Sequence, residues 1–351
     1  MTLSTNQNRI VRARAPLRLG LAGGGTDLSP YSDNFGGAVL NATINRYAFA
    51  SIEEGQGDNF RFIASDLGIT EEFKTTDPLL GRSRLVLHAG VVRRIFADYM
   101  RGEYSPFTLH TMVDAPMGSG LGSSSALVVA MVDAFREYFK LPLGPYDVAH
   151  LAFEIERRDL ALAGGKQDQY AAAFGGLNFI EFLAEDRVIV NPLRVSRDHF
   201  AELEMSLVIC FSGISRRSEE IIKQQQRRMG SARKNDLSHL HQLKKDALEM
   251  KQALLAGSIT DMSEILNRSW AAKKQTASGV STRRIDQLLE LAKERGATGA
   301  KVSGAGGGGF LMFIVPPDKR FDVLDGLTNA GATAVGAGLT MTGCEAWTRN
   351  G

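Results

Sequence analysis

At 351 residues the chain is long enough to bury a substantial core and to form one or two domains. Its 41 lysines and arginines against 39 aspartates and glutamates leave a net charge of +2, too balanced for nucleic-acid binding to be its main business. Cys210 and Cys344 sit beside apolar residues and read as core thiols, no apolar run reaches the ~18 residues of a membrane span, and residues 1–14 lack an apolar signal core; the expectation is a cytoplasmic protein with neither membrane nor nucleic acid as partner.

Residues 10–22 and 38–53 alternate as strands, and 60–64 form a third, shorter one. The spacing of Leu87, Val91, Val92, Ile95 and Phe96 predicts a helix over 85–99. A strand at 107–114 leads into a glycine- and serine-rich loop, and the apolar run 127–132 beyond it reads as a buried helix. Helices follow near 145–162 and 169–174, then a hairpin of 177–183 with 187–190. The polar stretch 194–202 reads as a link, which divides the chain into 1–198 and 199–351. After a buried strand at 205–211, residues 216–255 are strongly helical and basic, with a break near 230–236 and a charge run that is most simply a solvated face. Amphipathic helices at 259–273 and 283–295 come next, then strands at 309–315 and 346–348 around a last helix at 321–330. This alternation predicts an α+β protein in two halves, without internal repeats.

The most informative segment is Pro116-Met117-Gly118-Ser119-Gly120-Leu121-Gly122-Ser123-Ser124-Ser125-Ala126. Glycines let a backbone approach a bulky anion, and the helix start beyond them offers unpaired N–H groups and the positive end of the helix dipole. Together these make a phosphate cradle, to which serine hydroxyls can add hydrogen bonds or a Mg²⁺ ligand. The other reading is a tight turn before a core helix. No lysine follows the glycines as a Walker loop requires, and the spacing misses the dinucleotide fingerprint. Two further clusters weigh in: Ala15-Pro16-Leu17-Arg18-Leu19-Gly20-Leu21-Ala22-Gly23-Gly24-Gly25-Thr26-Asp27, and Lys301-Val302-Ser303-Gly304-Ala305-Gly306-Gly307-Gly308-Gly309-Phe310.

These three motifs, in this order, resemble those of the galactokinase, homoserine kinase, mevalonate kinase and phosphomevalonate kinase superfamily (GHMP kinases). The central family pattern is P-x-G-x-G-L-G-S-S-A-A, from which this chain departs at Ser125. Within the superfamily, Ala22-Gly23-Gly24-Gly25-Thr26-Asp27-Leu28 and Ala163-Gly164-Gly165-Lys166-Gln167-Asp168-Gln169-Tyr170 are similar to the bacterial D-glycero-D-manno-heptose 7-phosphate kinases; fucokinases typically carry Trp where Gly25 stands. The resemblance implies a two-domain α+β GHMP kinase fold. Its first half would be ribosomal protein S5 domain 2-like, its second ferredoxin-like, with the active site between them.

It further implies ATP and Mg²⁺ as cofactors and a sugar phosphate as the small-molecule partner, phosphorylated at the anomeric hydroxyl; the oligomeric state stays open. Pro116, Gly118, Ser119, Gly120, Leu121, Gly122, Ser123, Ser124 and Ser125 would bind ATP. Asp168 takes the place of the family's catalytic aspartate, although its sequence setting also suits a helix cap. Arg18 is its natural partner. Ser124 and Glu156 would hold Mg²⁺, with Glu154 as the alternative to Glu156. Gly24, Gly25, Thr26, Asp27, Lys166, Gln167, Tyr170, Gly306 and Gly307 are assigned to the substrate. A distal phosphate calls for remote cations, of which Arg216 is the first choice; Arg217, Lys273 and Lys274 are the others. Another sugar 1-kinase, for fucose, galactose or an unphosphorylated heptose, and a non-catalytic sugar or nucleotide sensor remain as alternatives.

Overall fold

Strand β1 (Ile10–Ala22) is alternately buried and open at its start and buried throughout from Ala15, so its second half must be covered on both faces. In the computed structural model, which describes residues 9–349 apart from 77, 79, 117, 215–217 and 232–236, that covering comes from helices of both halves of the chain. After β1 the chain forms α1 (Tyr31–Phe35), β2 (Gly37–Glu54), β3 (Asn59–Ala64), β4 (Ile69–Lys74), α2 (Val86–Tyr99), β5 (Phe107–Val113), α3 (Ser123–Phe139), α4 (Pro145–Glu154), α5 (Gln167–Phe174), β6 (Leu177–Phe182) and β7 (Val188–Pro192). Next come α6 (Arg197–Ser206), β8 (Leu207–Phe211), α7 (Ser218–Ser231), α8 (Ser238–Ala256), α9 (Ile259–Lys274), α10 (Arg283–Glu294), β9 (Gly299–Val302), β10 (Phe310–Ile314), α11 (Arg320–Asn329), β11 (Thr333–Gly336) and β12 (Glu345–Arg349).

The larger sheet runs β12-β1-β2-β5-β3-β4, with β6 and β7 added alongside β2. Long β2 makes this branching workable: residues 37–42 pair with β6 and residues 48–54 with β5. Among the described strands only β3 and β5 run parallel. The smaller sheet, β11-β8-β10-β9, is antiparallel throughout. Apolar residues on nearly every side of α3, from Ala126 to Phe135, pack it between β1, β2 and the neighbouring helices, as an all-round hydrophobic helix requires. Ala247 and Met250 of α8 and Met262, Ile265 and Leu266 of α9 join the same core, which also takes in Met312 of β10. One apolar core therefore runs from the larger sheet to the smaller.

Three features differ from the sequence reading. The polar link expected at 194–202 is mostly helix: Ser196 caps α6 by accepting from the His199 N–H at 3.2 Å, and the helix buries little beyond Leu203 and Ser206, which hid it. Helix 145–162 stops being α-helical at Glu154 and continues as a π turn over 155–159. The strand predicted at 346–348 is β12, and it pairs with β1 in the larger sheet. The short strands β4 and β11 were not anticipated. Cys210 and Cys344 are both free.

Candidate active site

The glycine-serine loop connects β5 to α3, and Gly118, Gly120 and Gly122 all adopt left-handed backbone angles. No side chain caps α3, so the N–H groups of its first turn are left for a ligand. Ser123, Ser124 and Ser125 open onto a cavity of about 560 Å³. The third motif props the loop from behind. Ser303 Oγ donates to the Gly120 carbonyl at 2.9 Å, and the Phe310 N–H donates to the Ser119 carbonyl at 2.8 Å. A Cβ on Gly120 would stand 2.5 Å from the Ser303 carbonyl oxygen, so the two backbones approach as closely as only glycine permits. Gly304 and Ala305 reach the cavity wall. Gly306 and Gly307 turn away from it towards Val280, whose carbonyl accepts from the Gly307 N–H at 2.8 Å. Pro116, Ser119 and Leu121 shape the loop without lining the cavity.

Arg18, 4% exposed, reaches the same cavity from β1. Its Nε and Nη2 hold Asp168 Oδ1 at 2.8 and 2.6 Å, while Nη1 donates to the Gly120 carbonyl at 2.6 Å. One guanidinium thus ties the first turn of α5 to the phosphate loop. Asp168 Oδ2 is left over, on the side facing Gly122, where a Cβ would lie 3.4 Å from it. Asp27 stands nearby: Oδ1 accepts from the Gly25 N–H at 2.9 Å and Oδ2 from Gln167 Nε2 at 3.1 Å. Gly24, Gly25, Asp27 and Gln167 all line the cavity.

Other residues assigned to the substrate sit elsewhere. Thr26 is fully buried and its hydroxyl is spent on backbone, bonding the carbonyls of Gly23 and Ala38 and the Ala38 N–H. Tyr170 packs in the core against Tyr146, and burial pushes its phenol up to about 12. Lys166 turns out of the main cavity to pair with Asp186 at 2.7 Å and Asp33 at 3.1 Å; burial alone would lower its pKa, and the two carboxylates outweigh it and raise it. Arg216 and Arg217 lie outside the described residues. Lys274 does not line the cavity, whereas Lys273 does.

The π turn after α4 points Glu156 inward, fully buried, with Oε1 3.4 Å from Ser124 Oγ and Oε2 accepting from Gln169 Nε2 at 2.5 Å. Glu154 points the other way, into ion pairs with Arg94 and Arg158. A hydroxyl and a carboxylate at the mouth of a phosphate loop are the hard oxygen donors that Mg²⁺ takes when substrate phosphates complete its shell. Among the described residues no group of three or more His, Cys, Asp or Glu is placed to hold a metal unaided.

Lys301 escaped the sequence reading. Its ammonium is buried beneath the first motif, donating to the carbonyls of Gly20 at 3.0 Å and Leu21 at 3.3 Å, and Lys273 donates to that of Gly24 at 2.8 Å. Burial, with Lys273 and Arg18 adding repulsion, pushes Lys301 down to about 7; burial likewise pushes Lys273 down to about 8, against the attraction of Asp27. A folded pKa below the unfolded 10.5 means that folding expels a proton. The cost is complete below about pH 7 and shrinks as pH rises towards 10.5. Stability should therefore rise between pH 7 and 9, by at most about 1.4 kcal/mol per unit from this group. Thermal melts across that range should show the rise in the wild type and a flatter profile in Lys301→Met; parallel profiles would mean that another group controls it.

The cavity thus presents donors for phosphate with, beside them, a carboxylate fixed by an arginine, which is the equipment of a phosphoryl-transfer site. Residues 86–176 match the GHMP kinases N terminal domain and residues 250–333 the GHMP kinases C terminal domain. The chain is 40% identical over 339 residues, 97% of its own length and 99% of the relative's, to a D-glycero-alpha-D-manno-heptose 7-phosphate kinase of Campylobacter jejuni. The crystal structure of a D-glycero-D-manno-heptose 1-phosphate kinase from Bacteroides thetaiotaomicron superposes with a TM-score of 0.80 at 39% identity, covering 97% of this chain and 100% of that one. A Lactococcus lactis galactokinase shares the fold alone, with a TM-score of 0.74 at 20% identity over 96% of this chain and 95% of its own. The chain belongs to the GHMP kinases, and its two-domain α+β fold is theirs. It is a kinase, of a family whose phosphoryl donor is ATP. Among the described residues no helix is long and apolar enough to cross a membrane.

Proposed function

We propose that this kinase transfers the γ-phosphoryl group of ATP to the anomeric hydroxyl of D-glycero-D-manno-heptose 7-phosphate. The product is the 1,7-bisphosphate, made in the cytoplasm on the way to a nucleotide-activated heptose for surface polysaccharide. The observation that carries this reading is the Asp168 carboxylate, clamped at Oδ1 by Arg18 and free at Oδ2 beside the start of α3. The two heptose kinases among the relatives support the choice of sugar.

In this reading the first-turn N–H groups of α3 and the loop glycines bind the ATP phosphates. Asp27 and the Gly24-Gly25 backbone orient the sugar. The anomeric oxygen attacks the γ-phosphorus, the bond from that phosphorus to the β,γ-bridging oxygen breaks, ADP leaves, and the hydroxyl proton passes to Asp168 Oδ2. Arg18 keeps the carboxylate aimed and lends positive charge to the transferring group. Mg²⁺, bound by Ser124 and Glu156 with the ATP phosphates, would neutralise phosphate charge.

The test is ADP release measured with a panel of sugars and sugar phosphates. Turnover on heptose 7-phosphate far above the rest is expected. Turnover only on fucose or galactose would discard the heptose and keep the kinase; ATP binding without turnover on any sugar would favour a sensor. Glu156→Gln should raise the Mg²⁺ concentration needed for half-maximal rate by about tenfold or more, as loss of an ionised metal ligand does, whereas Glu154→Gln should leave it near the wild-type value. The reverse pattern would transfer the metal role to Glu154.

A further inference from the structure

A second cavity, of about 380 Å³, opens beside the first between α7 and the segment 157–166. It shares Asp27, Arg157, Leu162, Ala163 and Gly164 with the main cavity and touches none of residues 118–125. It is therefore a side lobe at the sugar end, away from the phosphate loop. Arg157, Lys166 and Lys223 face it, with Asp27 and Asp186.

The charges divide into committed and uncommitted. Asp27 is held by the Gly25 N–H and by Gln167. Asp186 is neutralised by Lys166 and Arg158, and Lys166 is itself spent on Asp186 and Asp33. Arg157 is different. Its guanidinium lies flat against Gly164, where a Cβ would come within 2.3 Å of Nη2, and it is steadied by the carbonyls of Gly165 at 3.2 Å and Leu162 at 3.5 Å. Among the described residues its only carboxylate neighbour is Glu156, at 3.6 Å, and Nη2 has no acceptor. Lys223 is half exposed and pairs with Glu219 one helical turn away at 2.6 Å, the kind of surface pair that contributes little and yields readily. The lobe thus keeps one oriented guanidinium and one half-exposed ammonium for a ligand. The buried pair Lys273 and Lys301, by contrast, is tied to carbonyls of the first motif.

We infer that this lobe receives the second anionic group of the substrate, the phosphate at the far end of the sugar, with Arg157 as the fixed fork and Lys223 as the closing cation. This rests on the sugar-phosphate reading above and assigns the residues that select the phosphorylated sugar over its unphosphorylated parent. A fixed guanidinium with its Nη2 uncommitted can donate to phosphate oxygens, and Asp27 at the boundary leaves the sugar ring in the main cavity.

The test compares wild type, Lys223→Glu and Arg157→Gln with two ligands: heptose 7-phosphate as substrate, and the unphosphorylated heptose through its Ki as a competitor. Lys223→Glu, an exposed change that the fold should tolerate, is expected to raise KM for the phosphorylated sugar about tenfold or more and to move the Ki of the other by less than about twofold. Arg157→Gln should act in the same direction and more strongly. Wild-type turnover on heptose 7-phosphate, with both constants shifting equally or neither shifting in Lys223→Glu, would overturn the lobe assignment and leave the substrate reading standing. Wild-type turnover confined to an unphosphorylated sugar would overturn both.

Discussion

Asp168→Asn should lower kcat by about a thousandfold, within the range that general base catalysis supplies, while ATP still binds. The substitution keeps size and shape but removes the proton acceptor and the charge that pairs with Arg18. Because Arg18 is almost wholly buried, some stability should go as well: breaking one side of a buried ion pair typically costs about 3–5 kcal/mol. Two facts reduce that here. The Asp168 side chain is 22% exposed, and Arg18 keeps its bonds to the Gly120 carbonyl and Ser303. A modest fall in melting temperature is therefore expected beside a severe fall in rate. Single-turnover rates with saturating ATP and sugar, alongside a nucleotide titration, separate the two effects. A variant that keeps a tenth or more of the wild-type rate would remove Asp168 from proton transfer. Arg18→Lys should not substitute for arginine, because the three N–H bonds of an ammonium radiate from one nitrogen and cannot span the carboxylate and the Gly120 carbonyl as three guanidinium nitrogens do.

Gly120→Ala should damage the phosphate loop severely. The residue has φ of +77°, strained for any L side chain, and the added carbon would meet the Ser303 carbonyl oxygen at 2.5 Å, backbone against backbone. Neither side can swing away as a side chain would. The loop must part from the third motif, and with it go the Ser303–Gly120 and Phe310–Ser119 hydrogen bonds. The left-handed strain alone is of order 1–2 kcal/mol, and the overlap adds to it. Lower thermal stability and a large loss of ATP affinity should appear together, both measurable by a melt with and without nucleotide. Gly57→Ala is the control: it also has positive φ, but nothing lies within 4 Å of its added carbon, so only the strain should register. Similar ATP affinities in the two variants would mean that the apposition of the two motifs does not shape the phosphate loop.

These two positions also show which parts of the protein can be read from residues alone. The glycine motifs were legible because a glycine leaves a signature wherever backbone must approach backbone, and Arg18 and Asp168 were legible because they stand inside such motifs. The long elements were legible from apolar periodicity, as for β1 and α2. What escaped depends on partners far along the chain. Lys166 looked like a substrate ligand until Asp33 and Asp186 appeared beside it. Thr26 is a turn residue because the Ala38 backbone lies over it. Lys301 resembled an ordinary strand lysine, and only the fold buries it under Gly20. Helix α6 was hidden by its composition, since a helix that buries two residues carries no stripe. Arg157 gave no signal either, because its role depends on a guanidinium lying flat against Gly164, ten residues beyond the end of α4 by way of a π turn.

The return of β12 to the edge of β1 makes the smaller sheet a loop-out of the larger one rather than an appendage. The polypeptide leaves through α6 and comes back along 337–344, and that return path is stitched down: the Asn45 N–H donates to the Gly338 carbonyl at 2.9 Å, the Thr340 N–H to that of Thr43 at 3.0 Å, and Gly343 lies against the end of α5. A unit joined at one point can swivel; a unit joined at two is confined to motions that both attachments accept, as a door on two pins can only turn about the line between them. A cut in the return path should remove one of those attachments, loosening the third motif's hold on the phosphate loop along with the grip on the sugar.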